Sequence, residues 1–301
     1  MFRPGIPLPG TDADRGQPRP VEDARAPIAA ERVRTLVESS VSAVLDIPSS
    51  RSSDPSPLGC GSTEARAVTQ DGDVVLLVPA ASPAAQLAQH AEGDEVTAVM
   101  EITDVAPVAV PQRIRGRAWI AGWLTAVPAD ERAEYARLIA ERHPFGPAAD
   151  VAWVLLRLEV GEAYVDDLWG AEHVEPDDFA AAAPDPLAPH EAELLQHLAA
   201  SHYEQMHMLC TLLSEREPAC AAAEARAVPL SVDRFGMRVR FCDIPVDGAA
   251  CAGGKGEGAD ENGHNSALFG YFDVRFEFPE PVADVAQLRR AMRILFESAA
   301  G

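Results

Sequence analysis

Eight histidines are the side chains of this sequence best suited to binding a metal ion, because a neutral imidazole is a common metal donor. His190 and His197 lie seven residues apart, so both fall on one face of a predicted helix, with Glu193 between them. This spacing could hold a metal ion, and it is equally typical of an exposed polar face. His202 falls on the apolar stripe of the same helix, which predicts a buried imidazole hydrogen-bonded to a neighbouring element.

The sequence offers few cations for binding a phosphate group, which needs paired cationic or amide donors. Lys255 is the only lysine, and the segment Gly254 to Gly258 around it is not a P-loop, since no predicted strand leads into it and no predicted helix follows. Arg66 and Arg117 lie in predicted strands and remain candidates for contacting a phosphate. The chain contains no G-x-S-x-G and no H-E-x-x-H motif, which excludes the hydrolase classes that carry them.

The charge of the chain excludes several classes of partner. With 47 acidic residues against 25 basic ones, the formal net charge is −22, which repels nucleic acid and anionic lipid. The chain has no apolar run of about 18 residues and no N-terminal signal-peptide pattern, so we expect a cytoplasmic protein. The five cysteines form no C-x-x-C pair, which predicts reduced thiols and no structural zinc site.

Composition divides the chain into two domains joined by a proline-rich linker. Residues 1–27 are rich in Pro, Gly, Asp and Arg and are predicted to form a flexible tail. Residues 28–174 and 190–301 carry the periodic apolar patterns of two folded domains. The segment 175–189 between them contains four prolines that we expect to break any regular element: Pro176, Pro184, Pro186 and Pro189.

The first domain is predicted to consist mainly of β-strands. Short apolar runs alternate with turn-forming residues, and only two helices interrupt them, which favours a closed barrel or a sandwich over a βαβ sheet. Asp71-Gly72-Asp73 between two apolar runs indicates a hairpin. One helix is expected to begin at Ser82-Pro83 and to run to about His90, and the other to follow Asp130 as its N-cap.

The second domain is predicted to contain a helix, three strands and a final helix. A stripe of apolar residues at helical spacing predicts the first helix over 190–214. Residues 233–236 are expected to form the turn of a hairpin, and the alternating run Tyr271 to Phe278 predicts the third strand. Asp284, with Gln287 three residues later, indicates the N-cap of the last helix.

The first helix of this second domain resembles the opening helix of the small domain in HugZ/HutZ-type heme-utilisation proteins. The similar segment is PLAPHEAELLQHLAASHYEQM, residues 186–206. His197 and His202 match two histidines of the family pattern, whereas Ala199 and Ser201 replace an Asn and an Asp. The strand Val274-Arg275-Phe276 and the final helix with Leu288-Arg289-Arg290-Ala291 fit the same pattern.

The first domain resembles the split barrel of pyridoxamine-phosphate-oxidase relatives. The similarity rests on RIRGRAWIAG at residues 113–122 and on Leu168-Trp169-Gly170-Ala171. Together the two resemblances imply an α+β protein, in which a split β-barrel of the FMN-binding type precedes an α-βββ-α domain. They also imply a homodimer that holds heme or FMN near the subunit interface.

The resemblance also implies where a heme ligand would lie. Heme-degrading relatives bind the iron through a histidine in a loop near the end of the barrel or of the chain. His173 follows the last predicted barrel strand, and His264 lies in the glycine-rich loop of the second domain. These two histidines are therefore the candidate heme-binding residues, and each is also compatible with a solvated loop position.

Three functions remain open from the sequence. The first is heme binding, with oxygen-dependent cleavage of the porphyrin as its enzymatic form. The second is a non-catalytic scaffold with a regulatory or protein-binding role, which the replaced Asn and Asp favour. The third is an FMN-dependent oxidoreductase; against it, Ser82-Pro83-Ala84 stands where flavin-binding relatives often carry Ser-x-Lys.

Overall fold

The computed structural model describes residues 24–47, 61–63, 65–90, 96–144, 146, 152–213, 226–245 and 269–301. Within this part the chain forms two compact units. The first unit contains residues 27–105 and 115–184, and the second contains 106–114 and 185–301 together with 24–26. The predicted domain boundaries remain predictions, and His264 lies outside the described residues.

The first unit is built on one sheet of eight strands in the order β2-β1-β5-β6-β7-β4-β3, with β8 paired to β7. The sheet curls into an antiparallel half-barrel, as the sequence predicts. Its strands are β1 Ala43–Asp46, β2 Gly61–Ser62, β3 Ala65–Val68, β4 Val74–Pro79, β5 Val96–Val105, β6 Ile114–Ala126, β7 Trp153–Asp167 and β8 Gly170–Val174. Four helices accompany them: α1 Ala29–Glu38, α2 Pro83–His90, α3 Arg132–Arg142 and α4 Pro176–Ala181.

The hairpin between β3 and β4 confirms the prediction from Asp71-Gly72-Asp73. The two strands are antiparallel, and the backbone of Gly72 has φ +92°, a left-handed conformation that favours glycine. The position also permits no larger side chain, since a Cβ on Gly72 would lie 2.5 Å from the Cβ of Ala180 on α4. Glycine at this turn therefore allows the hairpin to form and allows α4 to pack closely against it.

A β-bulge in β7 keeps one face of this long strand inside the core. Ala121 pairs with Glu162 and Gly122 with Val160, which leaves Gly161 as the extra residue. Side chains alternate along a strand, so the extra residue reverses which positions face inward beyond it. The inward residues on both sides of the bulge belong to one core cluster: Leu156, Leu158, Val160, Ala163 and Val165.

The two faces of the sheet are covered to different extents. The inner face packs against α1, α2 and α4, whose buried residues Val33, Ala85 and Phe179 join the main core. The opposite face carries a smaller cluster around Val75 and Leu155, which α3 covers through Ile139. The two clusters show why the apolar pattern of β4 is nearly continuous: both faces of this strand are buried.

The second unit has the predicted order of a helical region, three strands and a helix. Its strands β9 Arg226–Asp233, β10 Gly236–Pro245 and β11 Phe269–Glu277 form an antiparallel sheet in the order β11-β10-β9. The last helix, α7 Val285–Ala300, begins as expected, since the side chain of Asp284 accepts a hydrogen bond from the backbone N–H of Gln287 at 2.7 Å. The predicted hairpin turn at 233–236 is confirmed.

Three local predictions are wrong. The single helix expected over 190–214 is interrupted at His202, giving α5 Glu191–Ser201, α6 Tyr203–Met208 and a 3-10 turn Leu209–Leu213. The proline-rich segment contains the short helix α4, because Pro176 occupies its first turn, where no intrahelical N–H is needed. Helix α3 starts after Glu131 rather than Asp130, with no side-chain hydrogen bond at its N-cap.

The cysteines differ from the expectation of reduced thiols. Cys210 is disulfide-bonded, whereas Cys242 is a buried thiol in β10. Cysteine number and spacing could not show this, because a disulfide depends on which residues the fold brings together. No helix among the described residues is long and apolar enough to cross a membrane.

Candidate functional site

Three aromatic side chains form a row on the face of the first sheet that is opposite its inner face; we call it the outer face. Trp119 on β6 pairs in register with Tyr164 on β7, which pairs with His173 on β8. The ring centroids of Trp119 and Tyr164 are 5.7 Å apart, and those of Tyr164 and His173 are 4.8 Å apart. Tyr164 is 1% exposed, Trp119 is half-buried and His173 is exposed. The imidazole of His173 is therefore the accessible end of the row.

The turn between β7 and β8 positions His173. A carboxylate oxygen of Asp167 accepts a hydrogen bond from the backbone N–H of Trp169 at 2.8 Å, and Gly170 takes the positive φ of +132° that the turn requires. Arg32 on α1 donates hydrogen bonds to both Asp167 and Glu172. Because Glu172 precedes His173 in β8, this ion-pair network ties the strand that carries the imidazole to α1.

The Arg32–Asp167 pair of this network is largely buried, whereas the side chain of Glu172 is 57% exposed. The side chain of Arg32 is 5% exposed and that of Asp167 is 15% exposed. Burial raises the pKa of Asp167, and the Arg32 guanidinium beside it opposes that rise. A buried pair is costly to break, because removing one partner leaves the other charge without compensation. The buried pair therefore stabilises the turn that leads from β7 into β8.

The row combines the groups that a flat, aromatic, metal-containing ligand would need. The exposed imidazole of His173 could donate a lone pair to iron, and the half-buried indole of Trp119 offers an apolar face for a ring system. The sequence identified His173 as a candidate ligand, but it did not indicate that Tyr164 and Trp119 would lie in a row with it. Only the register of three strands brings these residues together, and no local sequence signal encodes that register.

Arg66, a candidate phosphate ligand, has another role. Its guanidinium donates to the backbone oxygens of Leu36, Val37, Ser39 and Val41 at 3.2, 2.6, 2.9 and 2.7 Å. These carbonyls lie at and just after the C-terminal end of α1, where helix carbonyls lack intrahelical partners. Burial lowers the pKa of Arg66 to about 10. Arg66 therefore stabilises the end of α1 and is not accessible to a phosphate.

Arg117 and Ser82, which were also considered for phosphate binding, contact other groups of the protein. The exposed Arg117 lies 3.7 Å from the carboxylate of Glu101. The hydroxyl of Ser82 accepts a hydrogen bond from the backbone N–H of Ala85 at 3.2 Å, which confirms its predicted role as the cap of α2. The described residues therefore give little support to a flavin phosphate site in this unit.

A cavity of about 580 Å³ opens in the first unit, and its lining includes four acidic residues and no basic one. Burial raises the pKa of Asp73 in its wall, while Arg157 at 3.8 Å opposes that rise. An acidic lining disfavours anionic ligands such as phosphates and carboxylates. The lining includes Trp123 and four carboxylates, those of Asp71, Asp73, Glu159 and Asp177.

The histidines of the second unit are arranged differently from the sequence-based expectation. His190 lies at the N-cap of α5, and His197 contacts His202 rather than His190. His202 is half-buried and its ring stacks near Phe296 of α7, with centroids 6.1 Å apart. The prediction of a buried imidazole hydrogen-bonded to a neighbouring element is wrong, since His202 is half-buried and its Nε2 lies 3.3 Å from that of His197.

Comparisons with known proteins show the fold but not the family. No family model and no curated protein matches the chain. Among solved structures, a heme-binding protein from Mycobacterium smegmatis superposes with a TM-score of 0.55 at 19% identity, over 92% of this chain and 99% of that chain. The chain shares its fold with that protein. The predicted α+β fold with an N-terminal split barrel is thereby confirmed.

Two further structures match the chain over 92% and 51% of its length. A protein of unknown function from Agrobacterium tumefaciens matches 92% of this chain and 100% of its own, at 18% identity and a TM-score of 0.36. An FAD- and heme-binding protein from Mycobacterium smegmatis matches 51% of this chain and 78% of its own, at 18% identity and a TM-score of 0.34. Membership of the HugZ/HutZ family remains a prediction.

Proposed function

We propose that this protein binds heme and that the imidazole of His173 binds its iron. The observation that carries the proposal is the exposed imidazole of His173 on β8, whose ring contacts that of Tyr164. The proposal agrees with the name of the Mycobacterium smegmatis protein that shares this fold. Bound heme would supply an iron centre that can carry electrons and bind oxygen.

The chain's own residues have separate tasks in this proposal. The imidazole of His173 would hold the iron, and Trp119 would contribute an apolar surface to the ligand. Tyr164 is almost completely buried, so it fixes the position of the imidazole ring rather than contacting the ligand. Heme carries two carboxylates, which the four carboxylates that line the cavity around Asp73 would repel.

Other described histidines are less suited to this role. A ring nitrogen of His143 lies 2.7 Å from the backbone oxygen of Arg66, and one of His90 lies 2.6 Å from that of Gln86. His264 was the second candidate ligand from the sequence and remains a prediction. A homodimer, which the sequence resemblance implies, and a cytoplasmic location, which the sequence composition leads us to expect, belong to the same proposal.

A hemin titration tests the proposal. Purified, untagged protein is titrated with hemin and the Soret absorption is followed, alongside His173→Ala and the control His90→Ala. We expect a saturable Soret band in the wild type and in His90→Ala. His173→Ala should bind hemin at least about tenfold more weakly, since it loses the bond to iron. Both replaced side chains are exposed, so neither variant is expected to disturb folding.

Two outcomes would contradict parts of the proposal. A wild-type spectrum no different from that of an unrelated acidic protein would show that the chain does not bind heme. Equal binding by the wild type and His173→Ala would show that His173 is not the ligand, and His264→Ala would then be tested. Adding ascorbate under oxygen separates the enzymatic form from simple binding, since only porphyrin cleavage removes the Soret band irreversibly.

A further inference from the structure

The imidazoles of His197 and His202 lie at the separation of two ligands on one metal ion. Their Nε2 atoms are 3.3 Å apart, and the ring planes are inclined at 78°. In a tetrahedral zinc site the Zn–N distance is about 2.0–2.1 Å, which places two ligand nitrogens about 3.3–3.4 Å apart. The observed separation therefore corresponds to one edge of such a tetrahedron.

The interruption of the helix at His202 creates this arrangement. In a continuous α-helix, residues five apart point about 140° away from each other, so their rings would diverge. His202 instead has φ −126° and ψ 31°, outside the helical region, between α5 and α6. Its N–H still bonds the carbonyl of Leu198 at 3.1 Å, so the chain bends there without losing its connection to α5.

The surroundings leave the two nitrogens accessible while restricting one ring. His197 is exposed and His202 is half-buried. The ring of His202 lies nearly parallel to that of Phe296, at 24° between the planes, which limits its rotation. Among the described residues the two imidazoles hydrogen bond only to each other, so neither Nε2 atom is committed to another partner.

We propose that His197 and His202 bind a divalent transition-metal ion, with Zn²⁺ as the best geometric match, through their Nε2 atoms. In the described part of the chain, no group of three or more His, Cys, Asp or Glu residues is placed to hold a metal ion. Water or a donor from an external ligand would complete the coordination, which leaves the ion open to small molecules. The site lies in the second unit and does not depend on heme binding.

Titration with Co²⁺, a spectroscopic substitute for Zn²⁺, tests this site. The protein is the untagged full-length chain, and the buffer contains about 0.15 M salt to screen non-specific attraction to its acidic surface. We expect one Co²⁺ per chain with the intense visible bands of tetrahedral coordination, and displacement of Co²⁺ by added Zn²⁺. His197→Ala should weaken binding at least about tenfold, because a single imidazole remains.

Control variants make the result specific. His190→Ala, which removes an exposed histidine outside the pair, should bind Co²⁺ as the wild type does. His202→Ala should lose the bands as His197→Ala does, with circular dichroism showing that the helices persist. Equal Co²⁺ binding by the wild type and His197→Ala, or the absence of tetrahedral bands in the wild type, would overturn the proposal and leave a hydrogen bond between two neutral imidazoles.

Discussion

At the scale of single residues, the most informative side chain is Arg66. Its sequence position in a predicted strand made it a candidate for binding phosphate, but its guanidinium donates to four backbone oxygens around the end of α1. The sequence could not show this, because the acceptors are main-chain atoms that any residue carries. Which carbonyls lack partners becomes clear only once the helix end and the strand lie together.

Replacing Arg66 tests its structural role. Arg66→Met keeps much of the apolar stem but removes every donor, so several buried carbonyls lose their partners. We expect the free energy of unfolding to fall by about 2–4 kcal/mol, measured by urea denaturation. The control Arg137→Met removes an exposed i,i+4 ion pair with Glu141, and it should cost about 0.5 kcal/mol or less. Equal effects of the two variants would contradict this role.

At the scale of elements, the sequence predicted what depends on local chemistry. The hairpin at Asp71-Gly72-Asp73 and the capped start of α7 at Asp284 both follow from residues within a few positions of each other. The break at His202 was not predicted, since no glycine or proline marks it and the apolar stripe continues through it. The bulge at Gly161 was also missed, because it depends on the pairing of β7 with β6.

Gly122 provides a test of the bulge. A Cβ at this position would lie 1.9 Å from the backbone oxygen of Glu159, so the two strands could not keep their spacing. We expect Gly122→Ala to lower the free energy of unfolding by about 2–4 kcal/mol in thermal or urea denaturation. Thr125→Ala, on the same strand but half-buried, should cost less than about 1 kcal/mol. A neutral Gly122→Ala would show that this close approach of the strands is not needed.

At the scale of the whole molecule, the sequence predicted the fold class better than the candidate site. Periodic apolar patterns suffice to predict strands and helices and hence a barrel-like unit followed by an α-βββ-α unit. The row of Trp119, Tyr164 and His173 requires the lateral register of three strands, which pattern analysis does not provide. The pair His197 and His202 similarly requires the backbone conformation at the helix break.

The predicted homodimer is a property of the whole molecule that can be measured directly. Sedimentation equilibrium in EDTA, which excludes a metal-bridged pair, should give twice the chain mass of 32.1 kDa. Each chain carries a net charge of −22, so like-charge repulsion should weaken the dimer at low salt. Dissociation should therefore increase when salt is lowered from about 0.15 M to about 0.01 M. A monomer at every salt concentration would rule out the homodimer.

The central claim, that His173 is the ligand of a bound heme, is tested most directly by chemical rescue. A small imidazole can enter the space that the missing ring leaves in His173→Ala and bind iron in its place. The account predicts that hemin-loaded His173→Ala has an altered Soret band and that added imidazole restores the wild-type spectrum. A His173→Ala spectrum identical to the wild type before imidazole is added would contradict it.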